Sequence, residues 1–240
     1  MGVITFNNKT STTYNINVER PPRYVIAEAD YDTVDIPGRS GDLYYSTKKT
    51  FKNVPRSYDI SFYNGNGKME EIASAIHEFL HSANGYARLE DTYDPYVFRL
   101  AYYVRRLDLE NILFKAGRGK IEFSCKPQRF LKTGEVAVVF TTDGTLSNPT
   151  INDASPIIRI YGSGVVWIGS QSITVASSAE LPEYIDVDCE LMDAYHGTDN
   201  CNSFVTFGSY DEITLHKLSN SIALRDGITR VEITPRWWIL

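Results

Sequence analysis

The residues in this chain best suited to chemistry by type and spacing are His77-Glu78-Phe79-Leu80-His81. They match H-E-x-x-H, in which two imidazoles four residues apart on a helix share a metal ion and the glutamate activates a water. Helical geometry argues against that use. At roughly 100° per residue, the apolar positions Met69, Ile72, Ala73, Ile76, Leu80 and Ala83 form one stripe. His77 lies at its edge, His81 further round, and Glu78 almost opposite. The pattern describes a surface helix that faces solvent with its histidines. The longer H-E-x-x-H-x-x-G-x-x-H form also fails, because Asn84 and Ala87 stand where it needs glycine and histidine. Glu90, Asp91 and Asp94 are the nearby carboxylates, and they fall in a strand and loop region instead of on a second helix.

A second constellation is Asp35-Ile36-Pro37-Gly38-Arg39-Ser40-Gly41-Asp42-Leu43. Pro37 fixes its own φ, and Gly38 and Gly41 supply backbone conformations that other residues resist. Arg39, Ser40 and Asp42 are therefore carried on a shaped surface loop, suited to a phosphate, to a partner chain or to a plain turn. No helix signal follows, so the dinucleotide-loop and P-loop readings fail on context. Contact with a partner or a second subunit is the reading favoured over a simple turn.

Other candidates are thinner. His196 and His216 lie among turn residues and a polar strand end, where solvated imidazoles are expected. Asp186, Asp188 and Glu190 alternate along a strand as an acidic face, suited to a cation but more simply solvated. Trp167, Trp237 and Trp238 suit stacking on a sugar, although core or interface packing is the stronger expectation. Cys125, Cys189 and Cys201 are odd in number, widely spaced and without C-x-x-C, which excludes a zinc ribbon or disulfide scaffold and leaves buried, inert thiols. No G-x-S-x-G and no P-loop occurs. No catalytic residue, cofactor or metal ligand is assigned, and the chain is read as a non-enzyme.

The elements that must position these residues are mostly strands. Residues 24–30 and 43–46 flank the loop as strands. Tyr58, Ile60 and Phe62 alternate with Asp59 and Ser61. A helix is expected from about Lys68 to Ala83, ended by Asn84-Gly85. Strands follow at 86–89, 97–102 and 120–125, the last closed by Lys126-Pro127 because proline cannot extend a ladder. Residues 141–156 are rich in turn formers and mark a domain junction. Beyond them come strands at 157–161, 165–168, 172–175, 184–191, 213–215 and 230–234, with short turns that suggest a β-sandwich.

Composition agrees with a globular chain of two parts. The 240 residues include 16 tyrosines, which suit β surfaces and interfaces. Net charge is −6, unevenly spread. Residues 1–140 hold 19 Lys+Arg against 17 Asp+Glu, or +2, and residues 141–240 hold 5 against 13, or −8. The asymmetry points to two domains, and without a strong basic stripe tight DNA binding is not expected. No apolar run approaches the roughly 18 residues of a membrane span. The first residues lack the basic region and apolar core of a signal peptide, so folding in a cytoplasm is expected.

Several short motifs, taken in order, resemble the siphophage distal tail protein (Dit) family. They are the loop Pro37-Gly38-Arg39-Ser40-Gly41-Asp42-Leu43, the helix end Asn84-Gly85-Tyr86-Ala87-Arg88-Leu89, and Asp94-Pro95-Tyr96. Further along are Phe123-Ser124-Cys125-Lys126-Pro127-Gln128-Arg129-Phe130, the passage from Asn148-Pro149 to Ser155-Pro156-Ile157, the Ile185-Asp186 strand, and Ile233-Thr234-Pro235-Arg236-Trp237-Trp238. One departure is Leu218-Ser219-Asn220, where such proteins carry a Pro-Gly-x-Asn turn.

The resemblance implies a mainly β fold with one α-helix: a ring-forming, tail-tube-like domain over 1–140 and a galectin-like β-sandwich over 141–240. It implies a structural virion protein, a homohexameric ring at the tail tip that joins the tail tube protein to the tail-tip protein and baseplate. Tape-measure and receptor-binding proteins are further expected partners. DNA passes through the channel without specific binding, no membrane is involved, and assembly takes place in the host cytoplasm. Arg39, Ser40 and Asp42 are the expected interface residues. The alternative is a carbohydrate-binding β-sandwich protein that contributes to adsorption on the host cell wall.

Overall fold

The computed structural model describes the chain except for residues 1, 32, 45–49, 64–68, 105–108, 114–115 and 209–212. It is mainly β, with one α-helix among the described residues. Contacts divide the chain into two compact units, Met1–Arg129 with Leu240, and Phe130–Ile239. The junction expected at 141–156 thus differs from the division in contacts by about a dozen residues. Residues 130–140 stay with the second unit because Val138–Phe140 pairs with Leu218–Thr234 and Leu131 N–H donates to the Trp237 carbonyl at 2.8 Å.

In the first unit the sheet runs, strand beside strand, through Lys9–Thr10, Ile4–Phe6, Ala87–Asp91, Val97–Tyr103, Ala116–Leu131, Val54–Tyr63 and Ile16–Val18. The backbone of this sheet is the ten-pair antiparallel ladder that sets Ala116 opposite Tyr63 and Cys125 opposite Val54. Period-two alternation puts Tyr58, Ile60, Phe62, Ile121, Phe123 and Cys125 on the buried face, as their spacing predicts. Pro127 does not end its strand. The ladder to the neighbouring strand is complete at Cys125, so the N–H that proline lacks is not needed there.

The helix spans Met69–Leu80, shorter than expected at its C-terminal end. Ile72, Ile76, Phe79 and Leu80 are buried and belong to the same core as the sheet. Phe79, absent from the stripe read in the sequence, is at its centre. Its ring meets Phe6 at 6.4 Å and Tyr14 at 5.4 Å between centroids, and Phe6 meets Phe123 at 4.9 Å. Each such buried side chain contributes roughly 1.5–3 kcal/mol.

In the second unit, two long strands, Ile157–Ile168 and Leu218–Thr234, pair from Ile157 opposite Thr234 to Ile168 opposite Ile222. Val138–Phe140, Ile185–Asp188, Asp193–His196 and Asp199–Asn200 extend one half of the pair. Gly144–Asn148, Gln171–Val175 and Val205–Phe207 extend the other. Both halves fill one core, with Ile158, Ile160, Val187, Val231 and Ile233 from the first and Val166, Ile168, Ile173, Val175 and Ile222 from the second. Gly162-Ser163-Gly164 reads as a break between two strands, yet the strand continues through it. The register shifts there, and Gly162 and Gly164 take φ of +92° and +144°. A Cβ on either would fall 2.3 Å from the Gly227 carbonyl oxygen or 2.4 Å from that of Arg225. The residues 213–215 form no strand but a single bridge, Ala154 to Leu215.

Candidate interaction surface

From Glu19 to Pro55 no described residue is buried. The expected strand over 24–30 is a strand only at Ala29–Asp30, which pairs with Thr50–Phe51. Pro21 and Pro22 supply no N–H, and residues 21–28 run without a ladder. Tyr24, Val25 and Ile26 stand exposed as a result, Ile26 at 82%. Further out, Thr33–Val34 pairs with Leu43–Tyr44, and the base is tied by Lys52 N–H to the Glu28 carbonyl at 2.9 Å and by Lys52 Nζ to the Glu28 carboxylate at 3.0 Å. The result is a two-stranded ribbon that carries exposed Tyr31, Val34 and Leu43.

Asp35 to Asp42 caps this ribbon. Arg39 N–H donates to the Ile36 carbonyl at 3.1 Å, and Gly38 and Gly41 take φ of +82° and +83°. A Cβ at either glycine would meet nothing within 4 Å, so both positions are open among the described residues. Arg39, Ser40 and Asp42 are all exposed at the tip, and no described residue bonds their side chains. The structure therefore brings the three predicted residues together on one projecting loop. The apolar residues along the ribbon and in 24–26 were not singled out in the sequence. Their signal was the Pro21-Pro22 pair ahead of an apolar run.

The histidine motif has another use. Glu78 Oε1 accepts hydrogen bonds from Lys9 Nζ at 2.8 Å and the Tyr14 hydroxyl at 3.2 Å, which fasten the helix to the segment before Ile16. Those bonds, Lys9 first, hold the carboxyl below its ordinary value. A general base at neutral pH needs a shift in the opposite direction. His77 and His81 are exposed and stack on each other with centroids 4.3 Å apart. Among the described residues no group of three or more His, Cys, Asp or Glu is placed to hold a metal ion.

The acidic strand face is not simply solvated. Asp186 is buried and takes both Arg159 Nε at 2.7 Å and Nη2 at 2.9 Å. Asp188 accepts from Arg236 Nη1 at 3.0 Å, and Glu190 accepts from Arg236 Nη2. Trp237 lies in the core, Trp238 donates Nε1–H to the Asp153 carbonyl at 2.9 Å, and Trp167 remains partly exposed. His196 Nδ1 lies 2.9 Å from the Tyr184 carbonyl and His216 Nδ1 lies 3.0 Å from the Asp153 carboxylate. The three cysteines are free and buried, and burial pushes the Cys125 thiol up to about 11.

No protein-family model matches the chain, and no curated protein matches it. Solved structures do. The SPP1 Dit protein, a hub of the adsorption apparatus of phages that infect Gram-positive bacteria, matches with a TM-score of 0.66 at 14% identity, over 100% of both chains. A chain of the phage P2 baseplate in its activated conformation with Ca matches at 0.55 and 10% identity, over 97% of both chains. The strontium form of the p2 baseplate matches at 0.55 and 12%, over 97% of this chain and 96% of that one. The resemblance read from short motifs is thus a likeness of fold across the whole length, and the fold of this chain is that of a Dit-like phage hub protein.

Proposed function

We propose that the protein is a structural hub of a siphophage tail, six copies of which close into a ring at the distal end of the tail tube. The observation that carries this reading is the match of fold to SPP1 Dit over the full length of both chains. The exposed ribbon gives it a physical basis. An isolated two-stranded ribbon is marginal in water, and this one displays Tyr31, Val34 and Leu43 to solvent. A neighbouring subunit that covers those side chains supplies the missing burial. A ring needs two different complementary patches on each subunit. The ribbon tip with Arg39, Ser40 and Asp42 is one of them, and a surface of the next copy is the other.

In this reading the first unit, residues 1–129, forms the ring and the second, residues 130–239, forms a galectin-like domain. The tail tube protein and the tail-tip protein dock on the ring, with tape-measure and receptor-binding proteins as further partners. The near-neutral first part, at +2, limits repulsion between copies and leaves a channel that does not hold passing DNA. The second part, at −8, suits a basic partner. No helix among the described residues is long and apolar enough to cross a membrane. The protein acts as a virion component assembled in the host cytoplasm, with no catalytic role and no cofactor.

Negative-stain imaging of purified protein tests the reading: six-fold rings are expected, and particles without rotational symmetry would overturn it. The same imaging on Arg39→Glu should show fewer closed rings. Unaltered rings would remove the loop from the interface.

A further inference from the structure

We propose that the first unit binds an extended segment of a partner protein that presents a glutamate or aspartate side chain between apolar neighbours. The site is a hollow of about 80 Å³ between residues 23–27 and the paired strand residues 54–56 and 125–127. At roughly 10–15 Å³ for each water-sized centre, it has room for one carboxylate and a short carbon stem. It is distinct from the ribbon tip at Asp35 to Asp42, none of which lines it.

Positive charge is in excess there. Arg23, Arg56, Arg99 and Arg129 line the hollow, and the carboxylates paired with these arginines are Asp91 and Asp94. Counting the Leu240 main-chain oxygen that Arg129 donates to as a third anion still leaves one arginine over. Asp91 is committed to Arg56, the Tyr58 hydroxyl and the N–H groups of Tyr93 and Asp94. Asp94 is divided between Arg99 at 3.4 Å and Arg129 at 3.6 Å. Arg99 is therefore the group short of an acceptor. It is 8% exposed, its bond to Asp94 is long, and its guanidinium makes no other hydrogen bond among the described residues. Burying a guanidinium with unmet donors is costly, and an entering carboxylate supplies the missing acceptor through a charge-assisted bond. Arg23 is exposed and has no ion partner among the described residues, which leaves it able to close over the bound group.

The walls select the kind of anion. Val25, Ala27, Val54, Pro55 and Pro127 surround the arginines. They suit the methylene stem of an acidic side chain, whereas a phosphate has oxygens on every side and would set some of them against apolar groups. The approach selects a peptide over a free acid. The main chain of residues 23–27 makes no hydrogen bond to another main-chain group among the described residues, so it offers an open edge to an extended segment. Tyr24, Val25 and Ile26 are exposed along that edge, where they can take the apolar residues on either side of the acidic one. The proposal does not require six-fold closure, so its failure and that of the ring reading are separate results.

The test is titration of the full chain, followed by NMR, with a five-residue valine peptide that has a central glutamate and blocked ends. The same peptide with a central glutamine, free glutarate and inorganic phosphate are the comparisons. Saturable binding of the glutamate peptide is expected, with a shift of the Arg99 Nε–H signal. The glutamine peptide should bind at least about tenfold more weakly, from the loss of a charged hydrogen bond. Arg99→Gln should lose about the same factor, and the exposed Arg23→Gln about threefold. Arg23→Gln and the comparison of the two peptides on the unmodified protein keep the test decisive where Arg99→Gln does not fold. Equal binding of the two peptides, no saturable binding, or glutarate or phosphate bound as tightly as the glutamate peptide would each overturn the proposal. Peptide binding that disappears as the protein is concentrated would assign the hollow to a second copy and overturn it as well.

Discussion

Asp91 illustrates how one carboxylate organises a turn from inside the protein. Its Oδ2 accepts Tyr58 O–H and Arg56 Nη2 at 2.7 Å each, while Oδ1 accepts the N–H groups of Tyr93 and Asp94 at 3.0 Å. Burial alone pushes the carboxyl up. The Tyr58 bond, the charge and bond of Arg56 and the charge of Arg99 outweigh it, and the pKa ends below the ordinary value. A carboxyl lowered in the folded state stabilises the fold above its unfolded pKa of about 3.9. That contribution disappears as pH falls through the lower folded value. Thermal melts between pH 6 and pH 2 should therefore show a steeper acid loss in the natural protein than in Asp91→Asn. The variant itself should be less stable at pH 7 by about 3–5 kcal/mol, because Arg56 is left buried without its partner. Leu218 makes the opposite case. It occupies φ +74° with its side chain exposed. A residue with a Cβ holds that left-handed conformation at a steric cost. Leu218→Gly should raise stability by about 0.5–1 kcal/mol in denaturant titration, the smaller unfolded-state entropy of leucine offsetting part of the relief.

Elements were legible wherever one face of a strand is buried. Tyr58, Ile60 and Phe62, and likewise Ile121, Phe123 and Cys125, are inside as their alternation predicts. What alternation cannot convey is register and shared strands. Gly162-Ser163-Gly164 reads as a turn between short strands, but it lies opposite Asp226-Gly227 in one bulge of two long strands. For the same reason the grouping of Arg23 with Arg56, Arg99 and Arg129 was invisible, since those residues are separated by as many as 106 positions. The ribbon tip was easier, because Pro37, Gly38 and Gly41 declare a shaped loop locally. The exposed run at 24–26 misled, because an apolar run reads as a buried strand whether or not it is covered. The bulge makes a firm prediction: Gly162→Ala combines a disfavoured φ with a backbone collision and should lower stability by more than about 2 kcal/mol in chemical unfolding. Phe79→Ala, which empties the centre of the helix–sheet core, should cost about 3–5 kcal/mol in the same assay.

At the scale of the whole molecule, each of the two units has its own core, and the first bears a ribbon on which no described residue from Glu19 to Pro55 is buried. In the proposed ring, another copy covers its exposed Tyr31, Val34 and Leu43. The fold is shared with SPP1 Dit over the full length of both chains, and the proposed ring gives that exposed ribbon a partner. Closure into a ring leaves no ribbon unpartnered, whereas a smaller open assembly always leaves one. The most direct measurement is the mass of the purified protein in solution across micromolar concentrations, by native mass spectrometry or light scattering. The account predicts a single species of six times the 27.1 kDa chain. A stable 27.1 kDa monomer throughout that range would contradict it.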